Sequence, residues 1–322
     1  MIQIVGAPFD LCGFRAGSRL GPIAVRMAGL VDGLNKIGHE VSDTGAVIDL
    51  DASRAKSKQD RNTRANFVYR ETKKRVSAAI KRGRTPLVLG GDHSIAIGSI
   101  SGALQHYGRG LAVLWIDAHV DINTPDVSPS GNLHGMPLAA LTGLSTTVQG
   151  DDKQQWDALS KIVGDTKIDP KKLAWIGLRD VDRGEVANLK RVKGSLPLTM
   201  QDVDLMGVSG ALDKIITQLA ANKTKALWIS FDVDCLDPVF APGTGTAVRG
   251  GFTYREGHLI AETLCALLNQ KKAPFKLAGL DVVEVNPLAD TNNETAAVAV
   301  EWVLSLFGKT ILNPEDPGRT ER

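Results

Sequence analysis

The sequence predicts an α/β fold: a three-layer α/β/α arrangement around a mostly parallel, roughly eight-stranded sheet. Three observations lead there. Short runs rich in Val, Ile, Leu and Trp recur at residues 2–6, 86–90, 111–116, 173–177, 226–231 and 277–285, with weaker candidates at 40–43 and 196–200. Their near-continuous apolar character marks strands covered on both faces. Helix-length stretches with apolar residues at helical spacing lie between them, and strand alternating with helix builds a parallel sheet.

In chain order, Met1-Ile2-Gln3-Ile4-Val5-Gly6 has no basic segment leading into an apolar one. It reads as a strand rather than a signal peptide. Gly21-Pro22 places a proline in the first turn of a helix over 23–34. Further helices are expected over 64–81, 95–106, 208–221 and 254–268. Residues 145–156 are polar and read as a loop or an irregular excursion. The tail, 313–322, is polar and proline-bearing, which predicts a surface-exposed end. No linker or repeat divides the chain, so residues 1–322 are expected to form a single domain.

Composition narrows the function classes. The 322 residues are 43% hydrophobic, enough for a substantial core, and the net charge is only +2. No Lys/Arg block suggests a nucleic-acid or membrane partner. No apolar run is long enough to span a bilayer. Cys12, Cys235 and Cys265 are odd in number and far apart, which supports neither a disulfide framework nor a Cys-rich zinc site. A cytoplasmic location is the expectation.

Three blocks carry the chemistry: Gly90-Gly91-Asp92-His93-Ser94, Asp117-Ala118-His119-Val120-Asp121, and Ser230-Phe231-Asp232-Val233-Asp234-Cys235-Leu236-Asp237-Pro238. Each follows a strand at its carboxyl end, where open parallel sheets bind ligands. In an extended segment residues two apart share a side, so Asp117, His119 and Asp121 face together, as do Asp232 and Asp234. An extended Asp117–Asp121 segment would span roughly 13 Å. That is wide for one ion unless the chain curls, and two ions about 3.5–4 Å apart fit it more easily. Two dications would also cancel the four charges of Asp117, Asp121, Asp232 and Asp234, with His93 and His119 as neutral ligands. Without cations such a cluster would take up protons. Oxygen-rich sets of this kind suit a hard divalent metal, and affinity alone leaves the choice of ion open.

Together with Ile122-Asn123-Thr124-Pro125, Ser130-Gly131-Asn132-Leu133-His134-Gly135, Gly177-Leu178-Arg179-Asp180-Val181-Asp182, Gly184-Glu185, Gly250-Gly251-Phe252 and Asp281-Val282-Val283-Glu284-Val285-Asn286-Pro287, these blocks resemble the ureohydrolase family, and within it the arginases. The resemblance runs from Gly6 to about Pro287. It implies two Mn²⁺ per subunit, one held by His93, Asp117, Asp121 and Asp232, the other by Asp117, His119, Asp232 and Asp234. It implies hydrolysis of the guanidinium of L-arginine to L-ornithine and urea by a metal-bridging hydroxide. In that reading Asp121 and Glu284 join His134 in the catalytic set. Glu284 orients the guanidinium with Thr246 nearby, and His134 delivers the proton to the leaving amine. Asn123 and Ser130 face the α-carboxylate, and Asp182 and Glu185 the α-ammonium. A homo-oligomer, trimer or hexamer, is also implied.

The departures lie in the substrate loop. Pro129 stiffens it, and Asp126 would repel the substrate carboxylate if it pointed inward. Agmatine or another guanidino compound is the alternative substrate. A catalytically silent binding protein and a deacetylase-like hydrolase are the readings from other classes.

Overall fold

Buried apolar strands dictate the architecture of the computed structural model, which describes residues 1–47 and 54–312. The strands are β1 (Ile2–Ala7), β2 (Val41–Ala46), β3 (Thr85–Gly90), β4 (Leu111–Ile116), β5 (Leu173–Leu178), β6 (Leu196–Thr199), β7 (Ala226–Asp232) and β8 (Lys276–Val283). They form one sheet in the order β2-β1-β3-β8-β7-β4-β5-β6, and every pairing is parallel. Around it lie α1 (Gly21–Met27), α2 (Leu30–Lys36), α3 (Lys58–Lys81), α4 (Ala96–Tyr107), α5 (Pro137–Thr142), α6 (Gly150–Val163), α7 (Arg183–Leu189), α8 (Met200–Ala221), α9 (Tyr254–Leu268) and α10 (Glu294–Leu306).

Alternation along each strand feeds two cores. On one face Leu114, Ile116, Ile229, Phe231 and Leu280 join apolar residues of α1, α2, α8, α9 and α10. On the other, Val113, Trp115, Trp175, Trp228 and Ala278 join those of α3, α4, α5 and α6. The three-layer expectation is therefore met, with a sheet that is wholly parallel. Among the described residues no helix is long and apolar enough to cross a membrane.

Several boundaries moved for identifiable reasons. The helix expected over 23–34 is two, α1 and α2, parted at Gly29 in a left-handed conformation (φ 90°). Helix α8 begins before 208 because capped residues 200–206 are also helical, and Gly207 (φ 68°, ψ 160°) kinks the join. The expected strand 277–285 stops at Val283 because Glu284 turns to φ 60°. The loop expected over 145–156 is a correction: α6 starts at Gly150 and runs to Val163. Asp151 and Asp152 in its first turn complement the helix dipole. Trp156, Leu159, Ile162 and Val163 form the apolar stripe that buries it. The tail 313–322 lies outside the described residues.

The glycine pair before His93 has a steric cause. A Cβ on Gly91 would lie 1.7 Å from the Phe9 carbonyl oxygen. The close approach lets Gly91 donate to the Ala7 carbonyl and Asp92 donate to that of Phe9. This seats the turn after β3 against the turn after β1. Gly91→Ala is therefore expected to destabilise the fold by about 3 kcal/mol or more, read by thermal or denaturant unfolding. A loss below about 1 kcal/mol would show that the turn relaxes freely.

Candidate metal centre and substrate cleft

The site is assembled at the carboxyl ends of five neighbouring strands, β3, β8, β7, β4 and β5. His93 opens the 3₁₀ turn after β3, whose start is capped by Asp92. Asp117 follows β4 directly. Asp232 ends β7 and caps the next 3₁₀ turn, which carries Asp234. The segment 117–121 is not extended. It curls, with Asp121 at φ 53°, so the wide span expected from an extended strand end is corrected. Asp117 Oδ2, Asp121 Oδ2 and Asp232 Oδ2 all lie 3.0–3.1 Å from His93 Nδ1. His119 Nδ1 lies 3.1 Å from Asp234 Oδ2 and 3.4 Å from Asp117 Oδ1.

Two ligand groups result: His93, Asp117 and Asp232, and Asp117, His119 and Asp234. Within each, the ligand atoms lie within 4.8 Å of one another. Asp117 belongs to both, Asp121 reaches the first through His93, and Asp232 falls in the first group. The residues fit a cation on an independent ground. His93 Nδ1 and Asp117 Oδ2 are buried and find no hydrogen-bond partner, although oxygens crowd the nitrogen. That arrangement suits donors converging on a central ion. The His/Asp set is a binuclear divalent-metal site.

The electrostatics agree. Burial, then the charge of Asp117, pushes Asp121 up to about 6. Burial with Asp234 and Asp117 drives Asp232 well above the usual carboxylate range. Burial also raises Asp117, but the adjoining imidazoles of His119 and His93 outweigh it and hold that carboxyl low. Burial opposes protonation of His93, yet Asp117, Asp121 and Asp232 raise its pKa well above normal. The cluster therefore gathers protons in place of metal charge.

The surroundings fix these side chains. Trp115 stacks on the His93 ring with centroids 3.9 Å apart and the planes nearly parallel. The Arg179 guanidinium donates to the carbonyls of Gly177, Asp234, Cys235, Leu236 and Val248, at 2.5–3.3 Å. It thereby pins the Asp234 turn. Gly250 and Gly251 donate to Asp237, and Phe252 pairs with Leu236. The Gly-Gly-Phe block thus closes the same turn from outside. Sequence reasoning gave no role to Trp115, Arg179 or Asp281. For Asp281 a signal existed: a carboxylate inside a wholly apolar strand requires buried partners.

A cleft of about 300 Å³ is lined by His93, His119, Asp121, Asn123, Pro129, His134, Gly135, Asp180, Asp182, Glu185, Asp232 and Thr246. Asn123 Nδ2 donates to Asp182 Oδ2 at 2.6 Å, which links the loop after β4 to the cap of α7. Asp182 and Glu185 form a capping box, and burial followed by the charge of Asp121 pushes Glu185 up to about 8. Thr246 donates to Asp234 Oδ2 at 2.9 Å. Ser130 is exposed and outside the cleft lining, its hydroxyl accepting the Asn132 amide. Asp126 is exposed and accepts from Thr146 and Thr147, so it is drawn toward the segment before α6.

Glu284 is buried and accepts the His93 amide at 2.9 Å. The same oxygen, Oε1, lies 3.2 Å from His134 Nδ1. Burial alone would lower the His134 pKa, but Glu284 raises it to about 9.

Two predictions follow from this geometry. Elemental analysis should find two divalent ions per chain, both removed by a strong chelator. Asp117→Asn, altering the shared ligand, should lose more metal than Asp234→Asn. In the metal-free protein, Glu284→Gln removes the charge that stabilises protonated His134. Its titration, followed by NMR, should fall from about 9 toward 6.5. An unmoved midpoint would show another group holding that proton.

The comparisons with known proteins point one way. The family model described as "Arginase family" matches residues 1–308. A Bacillus caldovelox protein named "Arginase" is 41% identical over 316 residues, covering 97% of this chain and 99% of that one. The crystal structure of arginase from Bacillus subtilis superposes with a TM-score of 0.84 at 37% identity, over 97% and 100% of the two chains. A structure described as a hypothetical agmatinase from Burkholderia thailandensis gives 0.70 at 27% identity, over 95% and 84%. The chain belongs to the arginase family.

Proposed function

We propose that the protein is a hydrolase that converts L-arginine to L-ornithine and urea, working as a single domain with two Mn²⁺ per subunit. One observation carries the reading. Two His/Asp groups joined through Asp117 face a cleft, and buried Glu284 stands against them paired with His134 of the cleft lining. Held by His93, Asp117, His119, Asp121, Asp232 and Asp234, a pair of divalent ions would lower the pKa of a bound water from 15.7 toward about 7.

The chain's own residues supply the rest. A guanidinium stays protonated, with a pKa above about 12, and needs a carboxylate partner. Glu284 is that partner, held in place by the His93 amide. Thr246 lines the cleft as a polar contact. His134, whose protonated form Glu284 favours, stands where it can pass a proton to the departing amine. Asn123 meets the α-carboxylate, while Asp182 and Glu185 draw the α-ammonium to the far end. A cation beside Glu185 would favour its ionised form.

Arginine is preferred to agmatine because of the carboxylate end. Asp126 is turned toward Thr146 and Thr147, so the repulsion that an inward carboxylate would exert is absent. Relatives named arginase at 39–41% identity support the same substrate. A homo-oligomer, trimer or hexamer, and a cytoplasmic location complete the proposal. They rest on the family and on the absence of a disulfide framework.

Urea release should be measured from L-arginine and agmatine side by side after Mn²⁺ loading, with arginine the faster substrate. Asn123→Ala should cost roughly tenfold or more in kcat/KM for arginine, with little change for agmatine. His134→Asn should lower kcat by about 10²–10⁴-fold. Agmatine turning over faster than arginine would overturn the substrate assignment.

A further inference from the structure

On the opposite edge of the His93 ring from the carboxylates lies a second, wholly buried carboxylate. Asp281 stands in mid-strand on β8, fully enclosed and paired in register with Ser230 of β7. Three donors converge on it. Trp228 Nε1–H donates to Oδ2 at 2.9 Å, Ser99 Oγ donates to Oδ2 at 2.6 Å, and the Ser230 hydroxyl donates to Oδ1. An ionised carboxylate only accepts, and an indole N–H only donates. The Ser230 hydroxyl has one hydrogen, and Asp281 takes it. At the 2.8 Å contact with His93 Nε2, Ser230 Oγ can then only accept, so Nε2 carries the hydrogen. The lone pair of the neutral ring is thereby left on Nδ1, the nitrogen that Asp117, Asp121 and Asp232 surround.

We infer that Asp281 is a positioning residue: through Ser230 it sets the direction of the hydrogen-bond chain and commits His93 to binding metal through Nδ1. A burial argument supports this. Leu280, Val282 and Val283 show that apolar side chains suit this part of β8. An isolated buried carboxylate there is costly unless its hydrogen bonds do something an apolar residue cannot. Ser99 provides an internal comparison. It bonds the same carboxylate and is equally buried, but it lies off the path to His93. The inference rests on the reading of His93 as a metal ligand.

The test is Mn²⁺ affinity by equilibrium dialysis, with no substrate present. Asp281→Asn keeps the shape but offers N–H groups to Ser230. The Ser230 hydroxyl can then turn to His93 Nε2 and favour the Nδ1–H form, which cannot bind. The dissociation constant of the ion held by His93 should rise about 10–100-fold. The hydrogen-bonded Nε2–H proton of His93, followed by NMR in the Zn²⁺-loaded protein, should move. Ser230→Ala cuts the chain while sparing Asp281 and should act in the same direction. Ser99→Ala should stay within about threefold of the parent. If Asp281→Asn fails to fold, the contrast between Ser230→Ala and Ser99→Ala decides. Parent-like binding in both Asp281→Asn and Ser230→Ala, or an equal loss in Ser99→Ala, overturns the inference and leaves the metal site standing. A parent protein that binds fewer than two ions overturns both.

Discussion

Four carboxylates held within reach of two imidazoles, away from water, are the constraint on which the rest of this structure depends. Asp117, Asp121, Asp232 and Asp234 cannot all stay ionised in that space unless positive charge is placed among them. The metal-free cluster answers with protons: His93 and His119 are driven toward the charged form, and Asp121 and Asp232 toward the neutral one. Two dications can replace that proton charge. The surrounding architecture reads as what is needed to hold such a cluster together before the cations arrive.

Part of that holding is backbone strain. Asp121 and Glu284 are non-glycine residues in the left-handed region, at φ 53° and 60°. Such conformations cost on the order of 1–3 kcal/mol each and persist only where neighbours enforce them. Here the Asp121 carbonyl accepts the Leu138 amide, and the Glu284 amide donates to the Gly91 carbonyl. The first bend brings Asp121 back toward His93. The second ends β8 two residues before the expected boundary and turns Glu284 toward His134 instead of along the sheet. Gly91 joins the second bend to the turn after β1, since its lack of a side chain admits Phe9 on one side while its carbonyl anchors Glu284.

The rest is polar anchoring from outside the cleft. Arg179 gathers the carbonyls around Asp234, Trp115 fixes the plane of His93, and the Asp281–Ser230 pair fixes its hydrogen-bonding edge. Asn123 ties the loop after β4 to the cap of α7, so the two halves of the proposed amino-acid end move as one. Gly184 belongs to the same contact: a Cβ there would lie 2.7 Å from Asn123 Oδ1. The ligands, the guanidinium end and the amino-acid end are thus braced by neighbouring parts of one strand-end surface.

By itself the sequence determined the strand and helix alternation, the placement of His and Asp blocks after strands, and the ligand types. These are local properties: apolar periodicity sets the elements, and chemistry is written in short contiguous blocks. It missed α6, whose stripe from Trp156 to Val163 was overshadowed by the polar turn that starts it. It also spread Asp117 to Asp121 too far, because a left-handed aspartate leaves no mark in the alternation of side chains. Only the tertiary structure decided which oxygen faces which nitrogen, that Asp126 leans away, that Ser130 stands outside the cleft lining, and that Asp281 lies behind His93. Those facts depend on register between β7 and β8 and on contacts between residues twenty or more positions apart, which no local pattern encodes.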